Sequence, residues 1–155
     1  MVLKRDSKGI VMKDNNGISL RVPGIFKHCK AVGWYIEEYK QAQVSINLTN
    51  YKKTSLHKTF EEVRKQARKR GIRVTGSEIV GLLPKDALIK TGKYYLKKQG
   101  KSPGIPEKDI LNITIQSLGL SDIDIFNISE KVIEYRITKN NNLLSNLNLK
   151  DFIDI

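Results

Sequence analysis

The hydrophobic period of this chain changes once between residues 30 and 70, and that change restricts it to a mixed architecture. Val32, Trp34 and Ile36 alternate with Gly33, Tyr35 and Glu37, and Val44, Ile46 and Leu48 alternate with Gln43, Ser45, Asn47 and Thr49. Alternation with period two marks strands, since successive side chains leave a strand on opposite faces. Residues 38–41 can reverse the chain, so 30–49 is predicted to be a β-hairpin. The period then lengthens. Leu56, Phe60, Val63 and Ala67 stand at i, i+4, i+7 and i+11, one apolar stripe of a helix. Thr54 is the expected N-cap and Gly71 the closing glycine.

Ile72-Arg73-Val74-Thr75 reads as a further strand, broken by Gly76. Pro84 suits the first turn of a second helix over 84–98, closed by Gly100. Residues 101–106 form a linker with two prolines, and 107–118 a third helix with Ile110, Ile113 and Leu118 as core candidates and Gly119 at its end. Residues 128–137 hold a helical turn or a last strand, and Asn140-Asn141-Asn142 reads as a loop. Asp14-Asn15-Asn16-Gly17 is a turn signal in the polar stretch before residue 28. No internal repeat is evident. The order predicts an α+β two-layer sandwich: a mixed or antiparallel, four-stranded-type sheet with helices on one face. Val44, Ile46 and Leu48 would meet the helices. Gln43, Ser45 and Asn47 would point away, as a solvated face or the wall of a polar cleft.

The 155 residues carry 28 Lys plus Arg against 16 Asp plus Glu, a net charge of +12. Such a balance suits an anionic partner. The charge is concentrated: Lys58, Arg64, Lys65, Arg68, Lys69 and Arg70 crowd one helix, and seven lysines lie within 85–108. Abundant lysine, isoleucine and asparagine also follow from A/T-rich codons. Basic residues without interleaved aromatics make a poor nucleic-acid footprint, so nucleic acid is not the expected partner. No apolar run approaches the ~20 residues needed to span a bilayer, and the first residues lack the apolar core of a secretory signal. The expected location is cytoplasmic, with no membrane partner. One cysteine, Cys29, and two histidines, His28 and His57, leave no set for a multi-cysteine or histidine-rich metal site.

Phosphate loops, dinucleotide fingerprints, nucleophile elbows and zincin motifs are absent. His57, in the first turn of a helix, would have a lowered pKa suited to proton transfer; an exposed histidine without a partner is the plainer reading. Gly76, Ser77, Glu78 and Gly81 lie between a strand and a helix. Glycines there permit close approach of a ligand, or form a bulge before the helix.

Several ordered blocks carry a resemblance. Gly33-Trp34-Tyr35-Ile36-Glu37-Glu38-Tyr39, Ala42-Gln43-Val44-Ser45-Ile46-Asn47-Leu48-Thr49 and Thr54-Ser55-Leu56-His57 closely resemble the glutamate formiminotransferase family. So do Arg73-Val74-Thr75-Gly76-Ser77-Glu78-Ile79-Val80-Gly81-Leu82-Leu83-Pro84, then Ser117-Leu118-Gly119-Leu120 and Lys131-Val132-Ile133-Glu134-Tyr135. The likeness covers about 20–136 and lies within the family's C-terminal subdomain.

The resemblance implies a domain over 1–136, truncated at its N-terminus, and a tail over 137–155. Residues 147–154 resemble the opening of the cyclodeaminase domain of bifunctional members. It implies transfer of a formimino group from N-formimino-L-glutamate to tetrahydrofolate, a co-substrate, in histidine breakdown, with no metal. In the family, two subdomains enclose a folate tunnel, and the catalytic histidine belongs to the N-terminal subdomain. That subdomain is the implied partner, no catalytic residue is expected in this chain, and a homo-oligomer is expected. The folate- and substrate-binding candidates are Gln43, Ser45, Asn47, Gly76, Ser77, Glu78 and Lys85. The family usually reads Pro-x-Lys-Ala where this chain has Pro84-Lys85-Asp86-Ala87, so a lysine contact with the anionic folate tail, if kept, shifts to Lys85. Glu78 is an amide in some members, which argues against an essential general base there. Alternative readings are a basic RNA-binding α+β module, opposed by the lack of stacking aromatics on the polar strand face, and a non-catalytic subunit or fragment.

Overall fold

The computed structural model describes residues 1–146, so the cyclodeaminase-like tail at 147–154 lies outside the described residues. The chain divides into two compact units, Met1–Thr54 and the part from Ser55 onward. The class is α+β, as expected. Its four strands are all antiparallel, and they pair as two separate two-stranded sheets rather than one sheet of four.

In the first unit, β1 (Val2–Leu3) pairs with β2 (Arg21–Val22). Between them lies a short repeat that sequence reading missed: Asp6-Ser7-Lys8-Gly9-Ile10 and Asp14-Asn15-Asn16-Gly17-Ile18, eight residues apart. Each aspartate carboxylate accepts two backbone amides, from Lys8 and Ile10 and from Asn16 and Ile18, all at 2.9 Å. Each turn closes through a glycine at positive φ, Gly9 at 86° and Gly17 at 78°, a conformation that costs glycine little. Three amides join the segments in a ring: Lys4 donates to Leu20 at 2.8 Å, Leu20 to Met12 and Met12 to Lys4, each at 2.9 Å.

The predicted hairpin is present as β3 (Cys29–Ile36) and β4 (Gln41–Leu48), in register from Cys29–Leu48 to Ile36–Gln41. The face assignment needs correction. Val44, expected in the core, is 48 % exposed, and Ile46 and Leu48 are only half-buried. With few large side chains along either strand, the hairpin is held mainly by its ladder.

The second unit contains α1 (Leu56–Arg68), α2 (Lys85–Lys98), α3 (Glu107–Leu118), α4 (Ile128–Lys131) and α5 (Ile133–Asn146). Its core is Leu83, Leu88, Tyr95, Leu111, Leu118, Leu120 and Val132. Helices α2 and α3 approach closely at Gly92, where an added Cβ would lie 2.4 Å from the Ile110 carbonyl oxygen. Thr114 donates its hydroxyl across that contact to the Leu88 carbonyl at 2.8 Å.

Several expectations fail for identifiable reasons. The N-cap of α1 is Ser55, not Thr54, and its hydroxyl bonds a histidine ring instead of a backbone amide. Residues 72–75 are not a strand: among the described residues they find no ladder partner. Instead Ser77 ties that segment to the end of α3, donating its hydroxyl to the Leu118 carbonyl at 2.7 Å and its amide to Gly119 at 3.2 Å. Residues 128–137 are helical on both sides of Val132, whose extended backbone makes a parallel bridge to Leu83. Asn140-Asn141-Asn142 lies within α5, not in a loop. Each asparagine is a poor helix former, costing about 0.7 kcal/mol relative to alanine at most. Extending a helix already nucleated upstream avoids the larger cost of starting one.

Candidate functional site

Directly opposed residues of an antiparallel pair point to the same side. The register therefore places Lys30 beside Asn47, Val32 beside Ser45 and Trp34 beside Gln43, all on one face of the hairpin. The predicted trio Gln43, Ser45 and Asn47 is thus brought together. Sequence reading missed its neighbours. Trp34 is 45 % exposed and Val32 61 %, so the face is mixed and not simply polar. This overturns the statement that stacking aromatics are missing from it. Counting the loop between the strands would have revealed the pairing: four residues, 37–40, join Ile36 to Gln41, with Lys40 at φ 49°. A shallow cavity of about 190 Å³ opens here, lined by Lys30, Ala31, Val32, Ser45 and Asn47. The face offers an indole, neutral hydrogen-bonding groups and one ammonium, a set suited to a flat polar ring with an anionic extension.

The remaining candidates belong to the second unit and have local structural partners. Gly76 packs against the end of α3: an added Cβ would lie 2.9 Å from the Cβ of Asp122 and 3.1 Å from the Gly119 carbonyl oxygen. With the two Ser77 hydrogen bonds, this explains the Gly-Ser pair as a docking joint for an irregular segment. Glu78 is exposed and engaged by neighbours. The Lys85 ammonium lies 3.0 Å from a Glu107 carboxylate oxygen that also accepts the Tyr135 hydroxyl at 2.6 Å. Its backbone amide donates to Glu134 at 2.8 Å, so a side chain remote in sequence caps α2. Glu107 raises the lysine pKa, and the hydrogen bonds from Tyr135 and Lys85 lower that of Glu107. An anion reaching Lys85 must compete with this pair.

His57 is the largest departure from expectation. It is 6 % exposed rather than exposed and unpartnered. Ser55 Oγ lies 3.1 Å from Nε2, Thr91 Oγ1 3.5 Å from Nδ1, and the ring stacks on Tyr94 with centroids 4.3 Å apart. Burial lowers its pKa, and the charges of Lys58 and Lys90 act in the same direction. A neutral imidazole between two hydroxyls is a packing element of the α1–α2 contact. The signal was present in the sequence, since Thr91 and Tyr94 lie on one face of the next helix at i and i+3.

Comparison with known proteins agrees with this assignment of elements. The formiminotransferase domain family matches residues 4–138. A formimidoyltransferase-cyclodeaminase of Dictyostelium discoideum is 36 % identical over 136 residues, 86 % of this chain and 25 % of that protein. Its namesake from Gallus gallus is 38 % identical over 115 residues, 74 % of this chain and 21 % of the relative. A glutamate formimidoyltransferase of Streptococcus pyogenes is 47 % identical over 74 residues, 48 % of this chain and 25 % of the relative. The chain spans about a quarter of each relative or less. The match through both the hairpin and the helices makes this chain a member of the formiminotransferase domain family.

Proposed function

We propose that this chain forms part of a folate-dependent formimidoyltransferase and supplies one wall of its folate site. The observation that carries the reading is the hairpin face, where Trp34 stands beside Gln43 and Lys30 beside Asn47. The indole offers a stacking surface for a pterin or aryl ring. Gln43, Ser45 and Asn47 offer neutral hydrogen bonds, and Lys30 a charge for a glutamate carboxylate. The reaction needs a tetrahydrofolate nitrogen to attack the amidine carbon of N-formimino-L-glutamate. The nitrogen loses its proton as the new C–N bond forms. The tetrahedral intermediate then breaks its bond to the glutamate nitrogen, which takes up a proton. This face binds and orients; the proton transfers fall to residues of a preceding subdomain. The relatives' names support the transfer, and histidine breakdown is its proposed setting.

The test joins this chain to the preceding part of a related formimidoyltransferase and measures tetrahydrofolate affinity by calorimetry and turnover by steady-state assay. The chain alone should show no turnover. In the joined protein, Asn47→Ala should weaken folate binding by about 1–3 kcal/mol, the cost of leaving a partner unsatisfied, with the urea midpoint unchanged. Unchanged affinity in both Asn47→Ala and Trp34→Ala would remove the face from the folate site.

A further inference from the structure

A second site for a charged ligand lies on the helical unit and stands independently of the folate reading. Glu61, Arg64, Lys65 and Arg68 stand at i, i+3, i+4 and i+7 of α1, hence on one side of it. With Lys69, and with Lys98 at the end of α2, they line a groove of about 300 Å³. The lining holds five cations and one carboxylate. That carboxylate is committed: Glu61 pairs with Lys98, lies 3.2 Å from Arg64 and accepts the Tyr95 hydroxyl at 3.0 Å. Burial alone would raise its pKa, yet the hydrogen bonds from Lys98 and Tyr95 hold it below the ordinary value. Glu61 thus remains ionised, fixing the wall formed by Lys98 and Arg64. Lys65 reaches Glu62 only at 3.7 Å, and Arg68 and Lys69 have no ion pair among the described residues.

The C-terminal dipole of α1 favours cations in its last turn. It does not account for Lys98, which another helix brings to the same groove. Like charges at helical spacing repel by a few tenths of a kcal/mol per pair. No acidic residue follows Glu62 in α1 to relieve them. Several closely spaced negative charges on one ligand would relieve all of them together.

We infer that the groove between α1 and the end of α2 binds a small multivalent anion, one carrying three or more clustered phosphate or carboxylate charges. Arg64 and Arg68 offer planar forks for such oxygens, and the three lysines add point charges.

The test is calorimetric titration of the full chain with inorganic triphosphate and with citrate. About 0.15 M salt limits the reach of distant charges to roughly 8 Å. The two arms distinguish a phosphate from a carboxylate ligand. Arg68→Ala with Lys69→Ala removes two groove charges while keeping good helix formers. Lys8→Ala with Lys13→Ala removes the same charge from the turns of the first unit. Saturable binding of either anion should weaken about tenfold or more in the groove variant, and less than about twofold in the control, a difference of roughly 1.4 kcal/mol or less separating them. Circular dichroism of both variants should match the parent chain. Equal weakening in both, or binding of neither anion, would overturn the site. A single-stranded oligonucleotide held more tightly than triphosphate, and lost in the groove variant, would overturn the small-ligand assignment.

Discussion

The two units of this molecule are held together by different physics. Every buried apolar side chain among the described residues lies in the helical unit, from Leu83 to Val132. The first unit buries only Thr54 to that degree. It depends on ladder bonds, aspartate-closed turns and positive-φ glycines, while the helical unit depends on close packing. Hydrophobic burial is the dominant favourable contribution to folding, and a net hydrogen bond contributes about 1 kcal/mol. Side chains of the hairpin are therefore available for work other than packing, and that is where a ligand-contacting face can be placed at least cost.

The contrast can be broken most severely in the helical core. Leu88 is fully buried, so Leu88→Ala should cost about 2–5 kcal/mol through lost transfer energy and a cavity. Urea melts of the full chain measure it, and a cost below about 1 kcal/mol would show that α2 is not packed as described.

Acid should act on the same unit. The folded environment of His57 favours the neutral ring, lowering its pKa below that of the unfolded chain. The unfolded state therefore binds the proton more readily, and stability falls as pH drops below about 6.5 toward the folded pKa. Above that range His57 contributes no pH dependence. Melts between pH 5 and 8 should show this slope in the parent chain and a flatter one in His57→Gln. An unchanged slope in the variant would assign the effect elsewhere.

The smallest effect is expected on the hairpin. Val44→Ala at a 48 % exposed position should shift stability by less than about 0.5 kcal/mol. A loss comparable to that of Leu88→Ala would mean the hairpin is packed as tightly as the helices, and the comparison would fail.

Elements governed by local rules were legible in the sequence. Both long strands, the helices after Ser55 and Pro84, and the glycine stop at Gly119 follow from period, turn residues and caps. What depended on remote pairing was not. Residues 72–75 have strand-like side chains, but a strand exists only where a neighbour supplies a ladder. Val132 interrupts a helix because Leu83, far away in sequence, accepts its neighbour's amide. The binding trio was legible because alternation fixes sidedness. Trp34 was missed because sidedness on one strand says nothing of its partner until the register is known. Ser77 and Lys85 were read as ligand contacts, yet their hydrogen-bond partners lie 41 and 22 residues away.

The ring formed by Lys4, Met12 and Leu20 has a consequence for how the first residues come apart. In a ladder, loss begins at the last rung and proceeds one bond at a time. Here each of the three peptides donates once and accepts once. Displacing any one of them removes two of the three bonds together, leaving the remaining pair on a single contact. A closed circuit of this kind has no terminal rung. The stretch from Lys4 to Leu20 should open as one unit or stay shut, and its three linked amides should exchange with solvent water in concert.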